Sequence, residues 1–312
     1  MKYYFAPMEG ITNHSFRRVH SRSFGGVAKY YTPFISPSAS APFTEREMSE
    51  LRPENNEGVP LVPQLLVNSA EAFNRAAREL AAMGYAEINL NAGCPSKTVT
   101  AKGKGCGLLA RPDSLRRLLD GIFAAPETKI SVKTRLGMKN AEEFEKLLEI
   151  YNDYPICELT IHARVQEDYY KRPASFDAFE RFYTRCAAPL CYNGDLLTLS
   201  ACRDFSARFQ LVPALMLGRG LVGNPALAEE CLGGEKLTRK RLREFHDELY
   251  EAYRASLWSD NAVLCHMKDL WTCLGNSFTG CESSFKQLKK STNLADYLSS
   301  AREILSYAEM RV

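Results

Sequence analysis

The sequence predicts a closed α/β barrel of eight parallel strands, followed by a small domain built from helices. Three observations lead to this prediction. Eight short apolar segments rich in β-forming residues recur between Tyr3 and Leu217. Segments with helical periodicity separate them, and this alternation is typical of a parallel sheet. Beyond about residue 238 only helical periodicity remains. Eight strand–helix units are the repeat of the (β/α)8 TIM barrel.

The predicted strands are short, and their starts lie about 24 to 43 residues apart, which suits repeated strand–helix units. They cover Tyr3–Ala6, Val27–Tyr31, Leu61–Leu65, Ala86–Leu90, Lys129–Lys133, Glu158–His162, Leu190–Tyr192 and Ala214–Leu217. An open, doubly wound sheet is the structural alternative. The first strand is not followed by the glycine pattern G-x-G-x-x-G, so a dinucleotide-binding Rossmann start is absent.

Helix-start signals support the segments between the strands. Asn68 with Glu71 and Asn140 with Glu143 have the spacing of capping pairs, and each precedes an apolar stripe with helical spacing. Pro112 stands at the start of a third such stripe. Three further stripes begin at Leu242, Val263 and Leu294, where no strand-like alternation is seen. We therefore expect a barrel domain over residues 1–235 and a helical domain over 236–312, divided near Gly233-Gly234.

Composition sets the class of protein. Hydrophobic residues make up 45% of the 312 residues and charged residues 25%, as in ordinary globular proteins. Neither a bilayer-spanning apolar stretch nor a signal-peptide pattern is found, so we expect a cytoplasmic protein without a membrane partner. The ten cysteines contain no C-x-x-C pair, and free thiols are expected rather than a metal site. A metal or iron–sulfur site at the evenly spaced Cys265, Cys273 and Cys281 is the alternative.

Charge is concentrated in one stretch, although the net charge is only +3. Between Lys97 and Arg117 there are six basic residues and one acidic residue. A solvated basic surface is one explanation, and a surface that attracts phosphate groups is the other.

The ends of the predicted strands carry polar residues, and barrel enzymes place their chemistry at this face. Glycine-bearing loops follow strands 7 and 8, where barrels commonly bind phosphate, and Arg219 would add charged hydrogen bonds there. Lys133 could stabilise negative charge on the ligand. Cys94 lies in a Gly-Cys-Pro turn after strand 4. From these residues alone, Cys94 could be a general acid, a nucleophile or a structural cysteine.

Seven segments occur in an order that resembles the tRNA-dihydrouridine synthase family. The most specific is Asn89-Leu-Asn-Ala-Gly-Cys-Pro-Ser-Lys97. The others are Ala6-Pro-Met-Glu-Gly-Ile-Thr-Asn13, Gly103-Lys-Gly-Cys-Gly-Leu-Leu109, Val132-Lys-Thr-Arg-Leu-Gly137, Thr160-Ile-His-Ala-Arg164, Tyr192-Asn-Gly-Asp195 and Met216-Leu-Gly-Arg-Gly220. The resemblance covers the whole barrel, and the trailing helices fit it too.

The resemblance implies a flavin enzyme that reduces specific uridines in tRNA to 5,6-dihydrouridine. FMN would be the bound cofactor, NADPH the electron donor and tRNA the partner, with a monomer expected. Cys94 would be the general acid that protonates carbon 5 of the uracil after hydride reaches carbon 6. Substrate contacts would come from Asn91, Lys97 and Arg164. The cofactor would be held by Pro7, Met8, Gln64, Lys133, His162, Asn193, Gly194, Asp195, Gly218 and Arg219.

Some positions depart from the family pattern. Val165 stands where threonine is common, Pro33 replaces a commoner acidic residue, and the segment 166–173 lacks the usual glycine. These departures leave the uridine position open. Two other functions remain alternatives: an FMN barrel acting on a small pyrimidine, and a non-catalytic RNA-binding flavoprotein.

Overall fold

The barrel wall is formed by nine parallel strands arranged in a ring. The computed structural model describes residues 1–37 and 43–311. The strands are β1 Lys2–Phe5, β2 Val27–Tyr31, β3 Leu61–Val62, β4 Gln64–Leu65, β5 Glu87–Ala92, β6 Lys129–Gly137, β7 Glu158–Val165, β8 Leu190–Asn193 and β9 Ala214–Leu217. Their order is β3-β2-β1-β9-β8-β7-β6-β5-β4. The predicted (β/α)8 barrel is confirmed.

Nine strands appear instead of eight because proline interrupts the third. β3 pairs with β2, and β4 pairs with β5. Together the two short strands therefore occupy the place of a single barrel strand. Only Pro63 separates them, and it cannot donate a ladder hydrogen bond. Its carbonyl still accepts from the backbone N–H of Asn89 at 2.9 Å. Ile35 reinforces the closure, since its N–H donates to the carbonyl of Gln64 at 2.8 Å.

Two strands run at least three residues further than predicted, which changes where site residues lie. β6 continues to Gly137 and β7 to Val165, because the β6–β7 pairing extends through a register shift to the pair Gly137–Val165. Arg135, His162 and Arg164 are therefore strand residues, held by the barrel wall rather than by loops. Strand residues have fixed side-chain directions, so the barrel itself positions these three side chains.

Helices surround the barrel, and most follow a strand. They are α1 His14–Ser23, α2 Glu45–Leu51, α3 Ala70–Ala82, α4 Lys97–Thr100, α5 Pro112–Phe123, α6 Phe144–Asn152, α7 Phe176–Glu180, α8 Leu199–Arg208, α9 Arg219–Gly223 and α10 Leu227–Cys231. Asn140 and Glu143 form the predicted capping box, and Pro112 starts α5 as predicted. The Asn68 cap was wrong by one residue: Ser69 caps α3, while Asn68 donates to the carbonyl of Lys102 at 2.8 Å.

Four further helices follow the barrel: α11 Arg239–Ser256, α12 Asp260–Leu274, α13 Glu282–Lys290 and α14 Leu294–Tyr307. Two-residue strands, β10 Phe278–Thr279 and β11 Glu309–Met310, pair antiparallel beside them. The predicted C-terminal helical region is confirmed; the two-residue strands were not predicted, because they are too short to produce alternation. The division at residue 235 stays a prediction.

The C-terminal helices contact the loop that follows β1, at the rim of the barrel. The His266 ring on α12 donates from Nδ1 to the carbonyl of Gly10 at 2.8 Å. The Tyr253 hydroxyl on α11 donates to the carbonyl of Ile11 at 3.4 Å. Near the start of α11, Arg241 pairs with Glu229 at 2.8 Å. No helix within residues 1–37 and 43–311 is long and apolar enough to cross a membrane.

At the amino-terminal ends of its strands, the barrel is closed by a buried polar cluster. Glu158 accepts hydrogen bonds from the hydroxyls of Tyr4 at 2.7 Å and Tyr31 at 3.2 Å. Lys29 lies 2.7 Å from Glu87 and 3.4 Å from Glu158. These contacts fill the amino-terminal end of the strands, so the open cavity lies at the carboxyl end.

Candidate active site

A cavity of about 490 Å³ opens at the carboxyl ends of the strands. Its volume lies within the range of small-molecule sites. Every predicted site residue except Lys97 lines it: Pro7, Met8, Gln64, Asn91, Cys94, Lys133, His162, Arg164, Asn193, Gly194, Asp195, Gly218 and Arg219. The structure thus brings together residues from seven of the strand ends.

The basic stretch after Cys94 does not act as one surface. Lys97 is exposed at the start of α4 and does not line the cavity. Lys104 donates to the Ser36 hydroxyl at 2.8 Å and so ties the Cys94 region to the loop after β2. Arg116 lies on α5 and pairs with Asp153 at 2.7 Å. The basic residues of the stretch therefore lie on different elements, and none of them lines the cavity.

A chain of amide hydrogen bonds lies on the cavity floor. Asn91 donates from Nδ2 to Gln64 Oε1 at 2.7 Å. Gln64 donates from Nε2 to Asn89 Oδ1 at 2.8 Å, and Asn89 donates to the Ser131 hydroxyl at 2.9 Å. Gln64 and Asn89 are buried. Because each amide orients the next, the direction of the Asn91 side chain is set.

The Cys94 turn is held by that oriented side chain. Asn91 Oδ1 accepts from the backbone N–H groups of Gly93 at 3.0 Å and Cys94 at 2.9 Å. On the other side, Cys106 N–H donates to the Cys94 carbonyl at 3.0 Å. Gly105 has a φ of +55, and a Cβ on Gly105 would lie 2.8 Å from the Cys94 carbonyl oxygen. Glycine at 105 therefore permits the close approach that fixes Cys94.

Cys94 is kept in its thiol form. Burial raises the pKa of the Cys94 thiol above its usual value, outweighing the opposing effects of a backbone hydrogen bond at Ser96 and the charges of Arg135 and Lys133. A protonated thiol at the wall of a cavity can donate a proton to a bound ligand. The two nearby cations would stabilise the thiolate that such a transfer leaves.

The ammonium form of Lys133 is destabilised at the cavity floor. Its amine donates to Asn193 Oδ1 at 2.9 Å, and Asn193 donates in turn to the carbonyl of Met216 at 2.8 Å. Burial, together with the charge of Arg135, lowers the pKa of Lys133 to about 8. An anionic ligand in the cavity would offset both effects and favour the ammonium form.

His162 is neutral and its orientation is set by Arg164. Arg164 Nη1 lies 2.8 Å from His162 Nε2, and a guanidinium can only donate, so Nε2 accepts and the proton resides on Nδ1. Burial holds the pKa of His162 well below its usual value, aided by the charges of Lys133 and Arg135. His162 therefore offers Nδ1–H as a donor.

Arg164 makes three hydrogen bonds within the protein. Besides His162, it donates to the carbonyl of Arg172 at 2.7 Å and to Asp195 Oδ2 at 2.5 Å. Its side chain is only 2% exposed. These contacts position His162 and Asp195, and the predicted contact of Arg164 with the substrate stays a prediction.

The two glycine-bearing loops meet at Asp195. Its Oδ1 accepts from Arg219 Nη2 at 2.5 Å, and its Oδ2 accepts from the Ala174 N–H at 2.8 Å. Burial opposes ionisation of Asp195, but the hydrogen bonds from Arg164 and Ala174 outweigh it and lower its pKa. An ionised carboxylate repels phosphate, so Asp195 can serve the predicted phosphate site only by orienting Arg219. At Gly194, whose φ is +151, a Cβ would lie 2.6 Å from Ala174 Cβ.

Two lining residues were given no role from the sequence. Arg135 is buried and donates to the carbonyls of Gly93 at 3.1 Å and Val165 at 3.0 Å, so it links the Cys94 turn to β7. Its place beside Lys133 on the same strand was a usable signal. Tyr170 is 59% exposed, and its ring centre lies 5.5 Å from the guanidinium carbons of Arg135 and Arg219. Nothing in its local sequence indicated this position.

The C-terminal helices also reach the cavity. Thr272 and Cys273 on α12 line it, on the side where α12 packs beside α9. Cys273 is buried and Cys265 exposed, so the evenly spaced cysteines do not share one environment. Among the residues that the structure describes, no group of three or more His, Cys, Asp or Glu side chains is placed to hold a metal ion.

Comparisons with known proteins agree with this geometry. The model of the family described as dihydrouridine synthase matches residues 4–303. The chain is 33% identical to a tRNA-dihydrouridine(16) synthase of Ralstonia nicotianae, over 73% of this chain and 72% of that protein. It is 28% identical to a probable tRNA-dihydrouridine synthase of Staphylococcus epidermidis, over 98% of this chain and 93% of that protein.

Solved structures show the same fold at low sequence identity. An old yellow enzyme homologue from Zymomonas mobilis superposes with a TM-score of 0.56 at 11% identity, covering 76% of this chain and 89% of that one. Morphinone reductase superposes with a TM-score of 0.53 at 13% identity, covering 76% and 87%. The family match extends from the first barrel strand into α14, and the chain belongs to the dihydrouridine synthase family.

Proposed function

We propose that this protein reduces uridines in tRNA to 5,6-dihydrouridine, with FMN as its bound flavin and NADPH as the electron donor. One observation carries the proposal: burial keeps Cys94 in the thiol form at the wall of a cationic cavity, and its turn is fixed by two backbone N–H groups that donate to Asn91 Oδ1. Family membership supports the reaction, and the named relatives support tRNA as the substrate.

The cavity residues fit a phosphorylated flavin. Lys133, Arg135, Arg164 and Arg219 line the cavity against the acids Glu9 and Asp195, so its charge favours an anionic ligand. Gly194 and Gly218 leave backbone accessible beside Arg219, and that end would hold the ribityl phosphate. The ring end would be contacted by Gln64, Lys133 and the Nδ1–H of His162, with Pro7 and Met8 packing beside it.

A bound reduced flavin would supply hydride to carbon 6 of a uracil. Cys94 would then donate its proton to carbon 5, completing reduction of the double bond. The resulting thiolate lies near Arg135 and Lys133, whose charges stabilise it. Lys133, with a pKa of about 8, can hold or release a proton near neutral pH and so match the charge of its ligand.

Asn91 would contact the uracil while it holds the Cys94 turn. Its Oδ1 is occupied by two backbone N–H groups, and one Nδ2 hydrogen is donated to Gln64. The second Nδ2 hydrogen remains for a uracil carbonyl. Arg164 acts through His162 and Asp195 in this proposal, and Asp195 through Arg219.

A uracil can reach this cavity only when its nucleotide is turned out of the RNA stack. Lys97 and Lys102 are exposed near the Cys94 turn, where they would contact phosphates of the flanking nucleotides. Thr272 on α12 borders the cavity, and this supports a contact between the C-terminal helices and the same RNA. We assign tRNA binding to residues 236–312 on this basis.

The test uses purified protein loaded with FMN, NADPH and an unmodified tRNA transcript, with dihydrouridine mapped by reverse-transcription stops or mass spectrometry. We expect dihydrouridine at a defined position, and position 16 is the first to inspect because of the Ralstonia relative's name. Reduction of free uracil or uridine with no reaction on tRNA would contradict the proposal and support a small-pyrimidine enzyme. RNA binding without reduction would support a non-catalytic flavoprotein.

A further inference from the structure

The loop after β7 contacts the Cys94 turn directly, through a side chain that the proposed function does not use. Gln166 follows the last residue of β7 and is only 8% exposed. Its Nε2 donates to the carbonyl of Pro95 at 2.9 Å. The same Nε2 donates to the Tyr169 hydroxyl at 3.1 Å. A glutamine amide has two hydrogens to donate, so both are directed at the protein.

The backbone around Gln166 is itself fixed. Its N–H donates to the carbonyl of Gly137, at the end of β6, at 2.9 Å, and its carbonyl accepts from the N–H of Tyr169 at 3.1 Å. Tyr169 has a φ of +46, a left-handed conformation that a residue other than glycine rarely adopts, and its carbonyl accepts from Arg135 at 3.2 Å. The amide of Gln166 is therefore anchored to the barrel wall.

The contact with Gln166 fixes the far end of the Cys94 turn. At the near end, Asn91 Oδ1 accepts from the N–H groups of Gly93 and Cys94 at 3.0 and 2.9 Å. Pro95 has no N–H, so its carbonyl is the one backbone group through which it can form a hydrogen bond. The bond from Gln166 uses that carbonyl, directly after Cys94. The thiol therefore stands between two peptide groups that are each held by a side chain.

We propose that Gln166 is a positioning residue for the proton donor: it holds the Pro95 carbonyl, so that the Cys94 thiol keeps its direction toward carbon 5 of the uracil. This inference rests on the proposed function, and in it Gln166 acts only through Cys94. Proton transfer requires the donor within hydrogen-bond reach, and a misplacement of about 1 Å can cost about 100-fold in rate. Loss of one of several contacts to the turn should cost less, about tenfold.

The test compares FMN-loaded wild type with Gln166→Met, because methionine keeps the length of the side chain and removes both amide hydrogens. The two half-reactions are measured separately, without oxygen. Reduction of the flavin by NADPH, followed by its absorbance, should keep the wild-type rate. Reoxidation of the reduced flavin by saturating unmodified tRNA, in a single turnover, should slow about tenfold. An unchanged reoxidation rate, or an equal slowing of both half-reactions, would overturn the proposal.

A double variant separates this role from a merely structural one. Cys94→Ala removes the proton donor, so adding Gln166→Met should slow the residual reaction less than about twofold, as for residues that act as a unit. A further loss of about tenfold would mean that Gln166 acts through packing or RNA binding, which contradicts the proposal. Glu167→Gln is the matched control, because Glu167 is the next residue and is exposed. It should keep the rate of each background.

Amide hydrogen exchange tests the same contact without the reaction. In flavin-loaded Gln166→Met, the N–H groups of Gly93 and Cys94 should exchange about fivefold faster, the factor that one lost hydrogen bond brings. Exchange within β7 should stay at the wild-type rate, which shows that the barrel is intact. Unchanged exchange at the turn would refute the positioning role even if activity fell. A wild-type protein that reduces no tRNA would instead contradict the proposed function, and the exchange rates would still decide whether Gln166 fixes the turn.

Discussion

Replacing Lys133 by methionine should change the pH dependence of folding by a predictable amount. The pKa of Lys133 is lowered from 10.5 to about 8, chiefly by burial. The difference of about 2.5 units corresponds to about 3 kcal/mol at 1.36 kcal/mol per unit. Since the unfolded chain holds this proton more tightly, the charged side chain destabilises the fold. This cost is complete below pH 8 and disappears as the pH rises above 10.5.

The measurement is urea unfolding of flavin-free wild type and Lys133→Met at pH 7 and pH 10. The substitution also leaves Asn193 Oδ1 without its 2.9 Å donor, which costs about 1–3 kcal/mol at both pH values. The pH dependence isolates the charge because the other titrating groups are shared. Between pH 7 and pH 10, we expect the free energy of unfolding of wild type to rise by about 2.5 kcal/mol relative to that of the variant.

Lys139→Met is the control, because Lys139 is exposed just beyond the end of the same strand. Its difference from wild type should be close to zero at both pH values. The difference in unfolding free energy between wild type and Lys133→Met should change by about 2.5 kcal/mol from pH 7 to pH 10. A change of less than about 0.5 kcal/mol would refute the account of Lys133 as a destabilised cation.

Three other predictions follow from the cavity. Arg219→Ala should weaken FMN binding about 10- to 150-fold, because one charged hydrogen bond of about 1.5–3 kcal/mol is lost. The weaker binding should be seen as lost yellow colour on desalting, whereas the exposed control Arg208→Ala should keep its colour. Full retention of colour by Arg219→Ala would argue against the phosphate role. Asn91→Ala should slow single-turnover uridine reduction about 100-fold, because the Cys94 turn loses both hydrogen bonds to the side chain; an unchanged rate would contradict this. His162 should stay neutral at pH 5.5, since its pKa is well below 6.5, and a protonated ring in nitrogen NMR spectra would show otherwise.

Much of the barrel could be predicted from the sequence, because each strand is a short apolar run between polar loops. The break at Pro63 and the extra length of β6 and β7 could not, because pairing with a neighbouring strand decides where a strand ends. The cap of α3 was misplaced for a similar reason. Both Asn68 and Ser69 can cap a helix, and a distant carbonyl at Lys102 takes the Asn68 side chain.

The cavity residues could be predicted as a set, whereas their contacts with one another could not. Their positions at strand ends could be inferred from order along the chain. The contacts of Arg164 could not, since His162 Nε2, Asp195 and the Arg172 carbonyl come together only in the folded barrel. Lys97 differs from the other predicted residues, because α4 leaves its side chain outside the cavity. Its contact with the substrate stays a prediction.

The role of Cys94 as the proton donor is tested most directly by Cys94→Ala. The variant should bind FMN and accept hydride from NADPH at the wild-type rate, because Cys94 borders the cavity without joining the Lys133 or Asp195 contacts. Single-turnover formation of dihydrouridine in unmodified tRNA should fall by about 100- to 10,000-fold, the range of general acid catalysis. Dihydrouridine formation at the wild-type rate would contradict the account.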